Sequence, residues 1–359
     1  MALVDQTPAA EMVPAESSIL PCQAIEALIS EGAIELARPV AVGQIQPASL
    51  DLRLGEKAYR IRASFLPGPG VNVAEKLQSL ALHEIELQDG AVLEVGCVYL
   101  VPLLEALKLA GNLSAACNPK SSTGRLDVFT RVIADRAQAF DQVEAGYEGP
   151  LYAEICPQTF PVLVRTGSRL SQIRFRQEGD AVAIVEPEYA AGVDLSVDLA
   201  GDPSTGFVGY RAKRHTGVVD VDAPGAYDVS DFWEPIHAGK ETRLILDPDQ
   251  FYILASKEAV TVPPTHAAEM IPFNPLVGEF RVHYAGFFDP GFGYSGAGGT
   301  GSKAVLEVRS HKVPFILEDG QIIGRLIYEP LTDTPSQVYG QGIGSHYQAQ
   351  GLKLSKHFR

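Results

Sequence analysis

Asn118–Val128 reads NPKSSTGRLDV, which sets Lys120 and Arg125 around Ser121, Ser122, Thr123 and Gly124. Lysine and arginine supply positive charge, the hydroxyls supply donors, and turn N–H groups can close around phosphate oxygens. The segment is no Walker A loop, because G-x-x-x-x-G-K-[ST] is absent. Its plainer reading is a polar hairpin with an incidental ion pair. A second candidate is Glu154 in AGYEGPLYAEICP. Tyr152, Ala153 and Ile155 beside it would keep water from the carboxylate, raising its pKa and suiting it to carry a proton. Otherwise it is an outward residue of an alternating strand. The same carboxylate recurs as Glu307 in KAVLEV.

Two glycine-rich segments are weaker candidates. GFGYSGAGGTGS (Gly291–Ser302) could wrap phosphates, although as an insertion it reads better as a flexible loop. The C-terminal YGQGIGSHYQAQGLKLSKHFR mixes aromatics, amides and cations, as a tail that orders over an anion would. A disordered terminus is the alternative.

These residues need rigid elements to hold them, and the sequence offers the same set twice. Leu93, Tyr99, Glu105, Ala106, Ala115 and Pro119 recur as Leu246, Tyr252, Glu258, Ala259, Ala268 and Pro272, each 153 positions on (246 − 93). The offset breaks and then returns at Glu154/Glu307, Pro161/Pro314 and Gly167/Gly320. A fixed offset on both sides of a compensating insertion predicts a tandem duplication. VYLVPL, LYAEI, PVLVR and FYILA are β-branched or aromatic and bounded by Gly, Pro or Asn, so they predict strands. PCQAIEALISEG predicts one early helix, opened by Pro21, with Ile25, Leu28 and Ile29 on one face and Gly32 as its stop. The expected architecture is mainly β: a flexible tail over 1–18, then two β-barrel or jelly-roll domains over 19–190 and 191–359, with few short helices. Residues 178–235 are read as a joining region, loop-like at GDPSTGFVGYRAKRH.

The 359 residues carry a formal charge of −15, which argues against a general nucleic-acid or membrane surface. Cys22, Cys97, Cys117 and Cys156 form no C-x-x-C pair, so no zinc signature is present. No apolar run is long enough to span a membrane, and a reducing cytoplasmic setting is expected.

In order, IQPASLDLRLG, PKSSTGRL, VIAD with Arg136, GYEGPLYAE and the tyrosine-containing tail resemble the dCTP deaminase branch of the dUTPase superfamily. The match runs nearly the whole chain, twice. The family loop falls on Lys120–Arg125, and an alanine whose carbonyl faces the base falls on Ala134. The family's Asp-Pro-Gly turn and V-L-E strand are DPGF from Asp289 and VLE ending at Glu307 in the second half, but only EAGY and YAE in the first. The second half has PFNPLVGEF where its Ser-Ser loop would stand, and His346 replaces the usual lysine of the lid, which matches at Tyr339, Tyr347 and Gln350.

The resemblance implies dUTP and ammonia made from dCTP without zinc, by water attack at cytosine C4. Glu154 would shuttle the proton, with Glu307 as the alternative. Ser121, Arg125 and the Ala134 carbonyl would position water and base. Lys120, Ser122, Thr123, Gly124, Arg136, Asp289, Tyr339, His346, Tyr347 and Gln350 would bind nucleotide, with Mg²⁺ carried by the triphosphate. It also implies a homo-oligomer, a trimer first, and dTTP as a possible regulator. The alternatives are a dUTP pyrophosphatase, alone or combined with deamination, in which Glu144 or Asp289 activates the water, and a nucleotide-binding protein without turnover.

Overall fold

The computed structural model describes residues 11–185, 189–239, 241–272, 280–283, 286–297, 300–310, 312–340 and 352–359. They are mainly antiparallel β with four helices: α1 (Cys22–Ser30), α2 (Val73–Leu80), α3 (Ser121–Gly124) and α4 (Val229–Phe232).

α1 lies where Pro21 and Gly32 bracket it. Ile25 and Leu28 are buried, and Gly32 takes φ 77°, a left-handed stop that costs glycine little. α2 was not expected; it buries Val73 and Leu77 over one face of the first half.

Each half contributes two principal sheets. In the first, Leu113–Pro119 pairs with Arg169–Val185, and Val98–Lys108 pairs with Glu148–Pro157. In the second, His266–Pro272 pairs with Ile322–Pro330, and Phe251–Val260 pairs with Ser302–Ser310. Cys117 faces Ile173 across the first pairing, and Met270 faces Leu326 across its counterpart. Tyr99 faces Ile155, and Tyr252 faces Val308. The hydroxyl of Tyr99 accepts a hydrogen bond from the Glu94 N–H (3.1 Å), as that of Tyr252 does from Asp247 (3.0 Å).

Three expectations are corrected. Residues 11–18 are no tail: Glu11–Ile19 is a strand running antiparallel to Arg176–Val185. Its partner is some 165 residues away in sequence, and no local pattern announces a non-local pairing of that kind. The joining region is also built in. Phe207–Ala212 is a strand of the second half, beside Phe251–Val260. Val219–Asp220 runs parallel to Val162–Val164 and so extends a sheet of the first half. Finally, the halves share one core. Leu126, Val128, Ala153, Ile155 and Phe160 pack with Trp233, Phe251, Ile253, Val305 and Leu354. Phe160 meets Phe232 and Trp233 edge-on, with ring centroids 5.5 and 5.3 Å apart.

Candidate active site

Ser121–Gly124 forms one helical turn, α3, rather than an open loop. The N–H groups of Thr123 and Gly124 donate to the Lys120 carbonyl, and that of Arg125 donates to Ser121 (2.8, 3.0 and 3.1 Å). The first-turn N–H groups of Ser121 and Ser122 have no acceptor within the turn, by construction. Ser122, Thr123, Gly124 and Arg125 are buried, and Ser121 is half-buried.

The C-terminal residues close over this turn. Arg125 Nη1 donates to the Lys353 carbonyl (2.8 Å). Ser355 Oγ lies 2.8 Å from the Ser122 carbonyl and 2.9 Å from His357 Nδ1, and His357 Nε2 donates to the Val221 carbonyl (2.9 Å). Burial is the main reason that His357 is pushed down to about 4. Residues 352–359 are thus ordered, contrary to the reading of the terminus as a disordered end.

Cations gather around Asp51. Lys120 Nζ pairs with Asp51 Oδ2, and Arg169 Nη1 lies 3.4 Å from the same oxygen. Burial lowers the pKa of Lys356, and neighbouring Lys120 and Arg169 add to the effect while Asp51 and Asp222 oppose it. This is a phosphate-sized concentration of positive charge on an otherwise acidic chain.

The second half completes the surroundings. The Gly286 N–H donates to Asn118 Oδ1 (2.9 Å), and a Cβ on Gly286 would stand 2.8 Å from Asn118 Nδ2, so only glycine allows that approach. Asp289 lies 3.6 Å from Arg174. Burial raises its pKa, while Arg174 and Lys120 pull it back and Asp51 pushes it up. Tyr339 packs on the same turn, with its N–H on the Pro290 carbonyl (2.8 Å) and its ring 5.8 Å from Phe292. Within the glycine-rich segment, Gly293 takes φ 67°, and its carbonyl accepts from Gly301, so this portion is built into the turn.

The strand faces separate the two repeated glutamates. Side chains alternate along a strand. On Ser302–Ser310, Leu306 and Val308 point into the second half's own core, whereas Val305 packs in the shared core and Arg309 reaches Asp127. Glu307 lies between those two on the same face and is 1% exposed. Its cross-strand neighbour Ile253 belongs to the shared core as well. Glu307 therefore lies on the face that meets the shared core, two residues from the Arg309 that pairs with Asp127.

Glu154 faces the other way. Ala153 and Ile155 hold the shared core, while Tyr152 and the cross-strand Leu100 pack with Val73 and Leu77 of α2. Glu154 Oε1 is held by Arg131 (Nη2 2.5 Å, Nε 3.2 Å), and Arg131 also donates to Ser64 and lies over the rings of Phe129 and Phe140. Ala134 and Arg136 extend that region toward α2. The Ala134 carbonyl accepts from Ala137 (3.3 Å), and the Arg136 N–H donates to Val71 (3.1 Å) with Arg136 at φ 64°. Within the chain the bonds of Glu154 run to Arg131, and Arg125 Nη1 is engaged by the Lys353 carbonyl. Asp289 lies close enough to Lys120 and Asp51 to feel both charges, whereas Glu154 is paired with Arg131 beside α2. Glu144 precedes a turn, where its carbonyl accepts from Tyr147. His346, Tyr347 and Gln350 lie outside the described residues.

Sequence reasoning passed over Asp127, Thr159 and Arg309. Arg309 follows Glu307 by two positions on one strand, a spacing that makes them like-facing neighbours, and Asp127 follows Arg125 by two in the turn that leaves α3. The contact that joins them spans 182 positions and had no local signal.

A hydroxyl-rich turn beside cations, with a tail closing above it, marks the candidate site of this mainly β protein. The chain belongs to the 2'-deoxycytidine 5'-triphosphate deaminase family: that family's N-terminal domain matches residues 16–179 and its C-terminal domain matches 168–358. It is similar to the crystal structure of 2'-deoxycytidine 5'-triphosphate deaminase from Agrobacterium tumefaciens, at 58% identity and TM-score 0.84, over 90% of this chain and all of that one. It is 31% identical over 168 residues to a dUMP-forming dCTP deaminase of Sulfurihydrogenibium sp., covering 45% of this chain and 85% of that protein. A dCTP deaminase of Actinobacillus succinogenes is 31% identical over 137 residues, or 36% of this chain and 68% of that protein. The fold is dUTPase-like. No helix of the described residues is long and apolar enough to cross a membrane.

Proposed function

We propose that the chain is a dCTP deaminase whose active centre is assembled between its two halves. The observation that supports this reading is the position of Glu307 on the strand face that meets the first half, two residues from the Arg309 that pairs with Asp127. Water adds to cytosine C4, Glu307 accepts its proton and passes it to N3, then carries the proton of the new C4 hydroxyl to the amino group, so that the C4–N bond breaks, ammonia departs and the C4 carbonyl forms. The balance is dCTP plus water to dUTP plus ammonia. Arg125 and Ser121 orient water and base. Lys120, the first-turn N–H groups of α3 and the neighbouring Arg169 and Lys356 receive phosphate oxygens. Mg²⁺ travels with the triphosphate and offsets much of its charge.

The matching registers of the two halves support descent from a duplicated single-domain ancestor. The second half then stands where a neighbouring subunit would stand in an unfused relative, and higher assembly into a homo-oligomer is part of this reading.

A dUMP-forming variant of the reaction is favoured by one observation: Asp289 is a buried carboxylate beside Lys120 and Asp51, on the phosphate side of the site. The deciding experiment incubates the protein with dCTP and with dUTP in Mg²⁺ and measures ammonia and pyrophosphate separately. Ammonia from dCTP with no pyrophosphate from either substrate is expected of a deaminase. Equal release of both from dCTP would establish the combined reaction. Pyrophosphate from dUTP with no ammonia from dCTP would replace the deaminase with a pyrophosphatase.

A further inference from the structure

We infer that the buried Asp127–Arg309 ion pair, with Thr159, is a positioning device that sets Glu307 of the second half against Arg125 of the first. The inference rests on the reading of Glu307 and Arg125 as the reacting pair.

Arg309 Nη2 pairs with Asp127 Oδ2 and lies 2.8 Å from Thr159 Oγ1. Thr159 Oγ1 donates in turn to Asp127 Oδ2 (2.5 Å). Arg309 Nη1 donates to the Asp249 carbonyl (2.8 Å), which anchors the guanidinium to its own half. Asp127 is just as firmly held. It is fully buried, its N–H donates to Gly124, and its carbonyl accepts from Gln158. Its φ of 56° is a left-handed conformation that an aspartate keeps only where its surroundings enforce it.

The pair occupies a telling place in both segments. Asp127 is two residues beyond Arg125, at the exit of α3, and Arg309 is two residues beyond Glu307, on the same strand face. A shift of either half along the interface would therefore move Arg125 and Glu307 apart by a similar amount. Apolar packing in the shared core is non-directional and tolerates small slides, whereas a charged, three-member hydrogen-bonded contact fixes register. A misplacement of about 1 Å at a catalytic centre costs on the order of 10²-fold in rate. The spacing implies that this contact holds the two halves within such a tolerance.

The test compares Asp127→Asn, Arg309→Lys and the double variant with the parent, measuring kcat, KM for dCTP, the pH dependence of kcat, and thermal stability on the same preparations. A positioning role predicts that each single variant loses about 10²-fold in kcat, with KM within about threefold because the phosphate contacts remain. The double variant should be no slower than the worse single one, since one contact is lost once. Removing the Asp127 charge leaves the Arg309 cation uncompensated on Glu307's own strand face, so the acid limb of kcat should move to lower pH in Asp127→Asn. Should Asp127→Asn fail to fold, Arg309→Lys and Thr159→Val decide by the same measurements. Folded variants with lowered melting temperature but parental kcat and pH profile would overturn the inference and leave the pair merely structural. Parental activity in Glu307→Gln would overturn the underlying site reading instead, so the two failures are distinguishable.

Discussion

Glu154 and Glu307 are the same residue type at the same register of equivalent strands, yet their surroundings differ in kind. Glu154 is committed to Arg131 inside an aromatic pocket beside α2, and Glu307 lies on the strand face that meets the shared core, two residues from Arg309. Isosteric glutamine removes the base and keeps volume. Glu307→Gln should therefore lose on the order of 10²–10⁴-fold in kcat while dCTP still binds. Glu154→Gln should keep kcat within a few-fold and instead lower stability by about 1–3 kcal/mol, as a charge-assisted bond is lost. Steady-state kinetics and thermal denaturation on both variants check this, and the reverse pattern would return the chemistry to the first half. The candidate residues were legible in the sequence: the Ser-Ser-x-x-Arg turn through its resemblance to the family loop, and the glutamate through its recurrence 153 positions on. Which glutamate serves the turn was not legible. Alternation fixes that Glu307 and Val305 share a face, but only tertiary packing decides which body that face meets.

At the level of elements, α3 and the tail that caps it depend on one buried imidazole. His357 is uncharged when its ring bridges Ser355 and Val221, and its pKa is pushed down to about 4, chiefly by burial. Lys356 beside it also opposes its protonation, whereas Asp220 and Asp222 favour it. The unfolded or undocked histidine titrates near 6.5. The undocked tail therefore binds more protons between those values, so docking is fully stable above pH ~6.5 and weakens as pH falls toward 4, by at most about 3 kcal/mol. Proteolysis or hydrogen exchange at residues 352–359 should show the tail loosening across that window, and His357→Gln should abolish the pH dependence. Unchanged protection between pH 7 and 4.5 would refute it. The element reading from sequence was uneven for physical reasons. α1 carries its own start, stripe and stop, and the strands carry β-branched runs. α2 is only two turns long, and the strand Glu11–Ile19 contains a proline and no alternating apolar pattern, so both depend on distant partners for their order.

For the whole molecule, duplication would ordinarily imply two sites, and the structure argues for one. A site needs the hydroxyl turn with its cations and a glutamate face turned toward it. The chain has two glutamate faces but only one such turn, because the second half carries PFNPLVGEF at the corresponding place. The proposed assignment gives that turn to Glu307 within the chain. The face around Glu154 is filled from within by Arg131, stacked 3.6 Å from the Phe140 ring centre and bonded to Ser64. Assembly with further copies does not change the count, since each copy again brings one turn and one filled face. Titrating Glu307→Gln with dCTP and Mg²⁺ in a calorimeter, with turnover suppressed, should thus give one nucleotide per chain in any oligomeric state. Lys120→Ala should weaken that single event, and Arg131→Ala should not add a second. Two equivalents per chain would mean that the Glu154 face binds nucleotide without a hydroxyl turn, and the cross-half assignment of the site would fall with it.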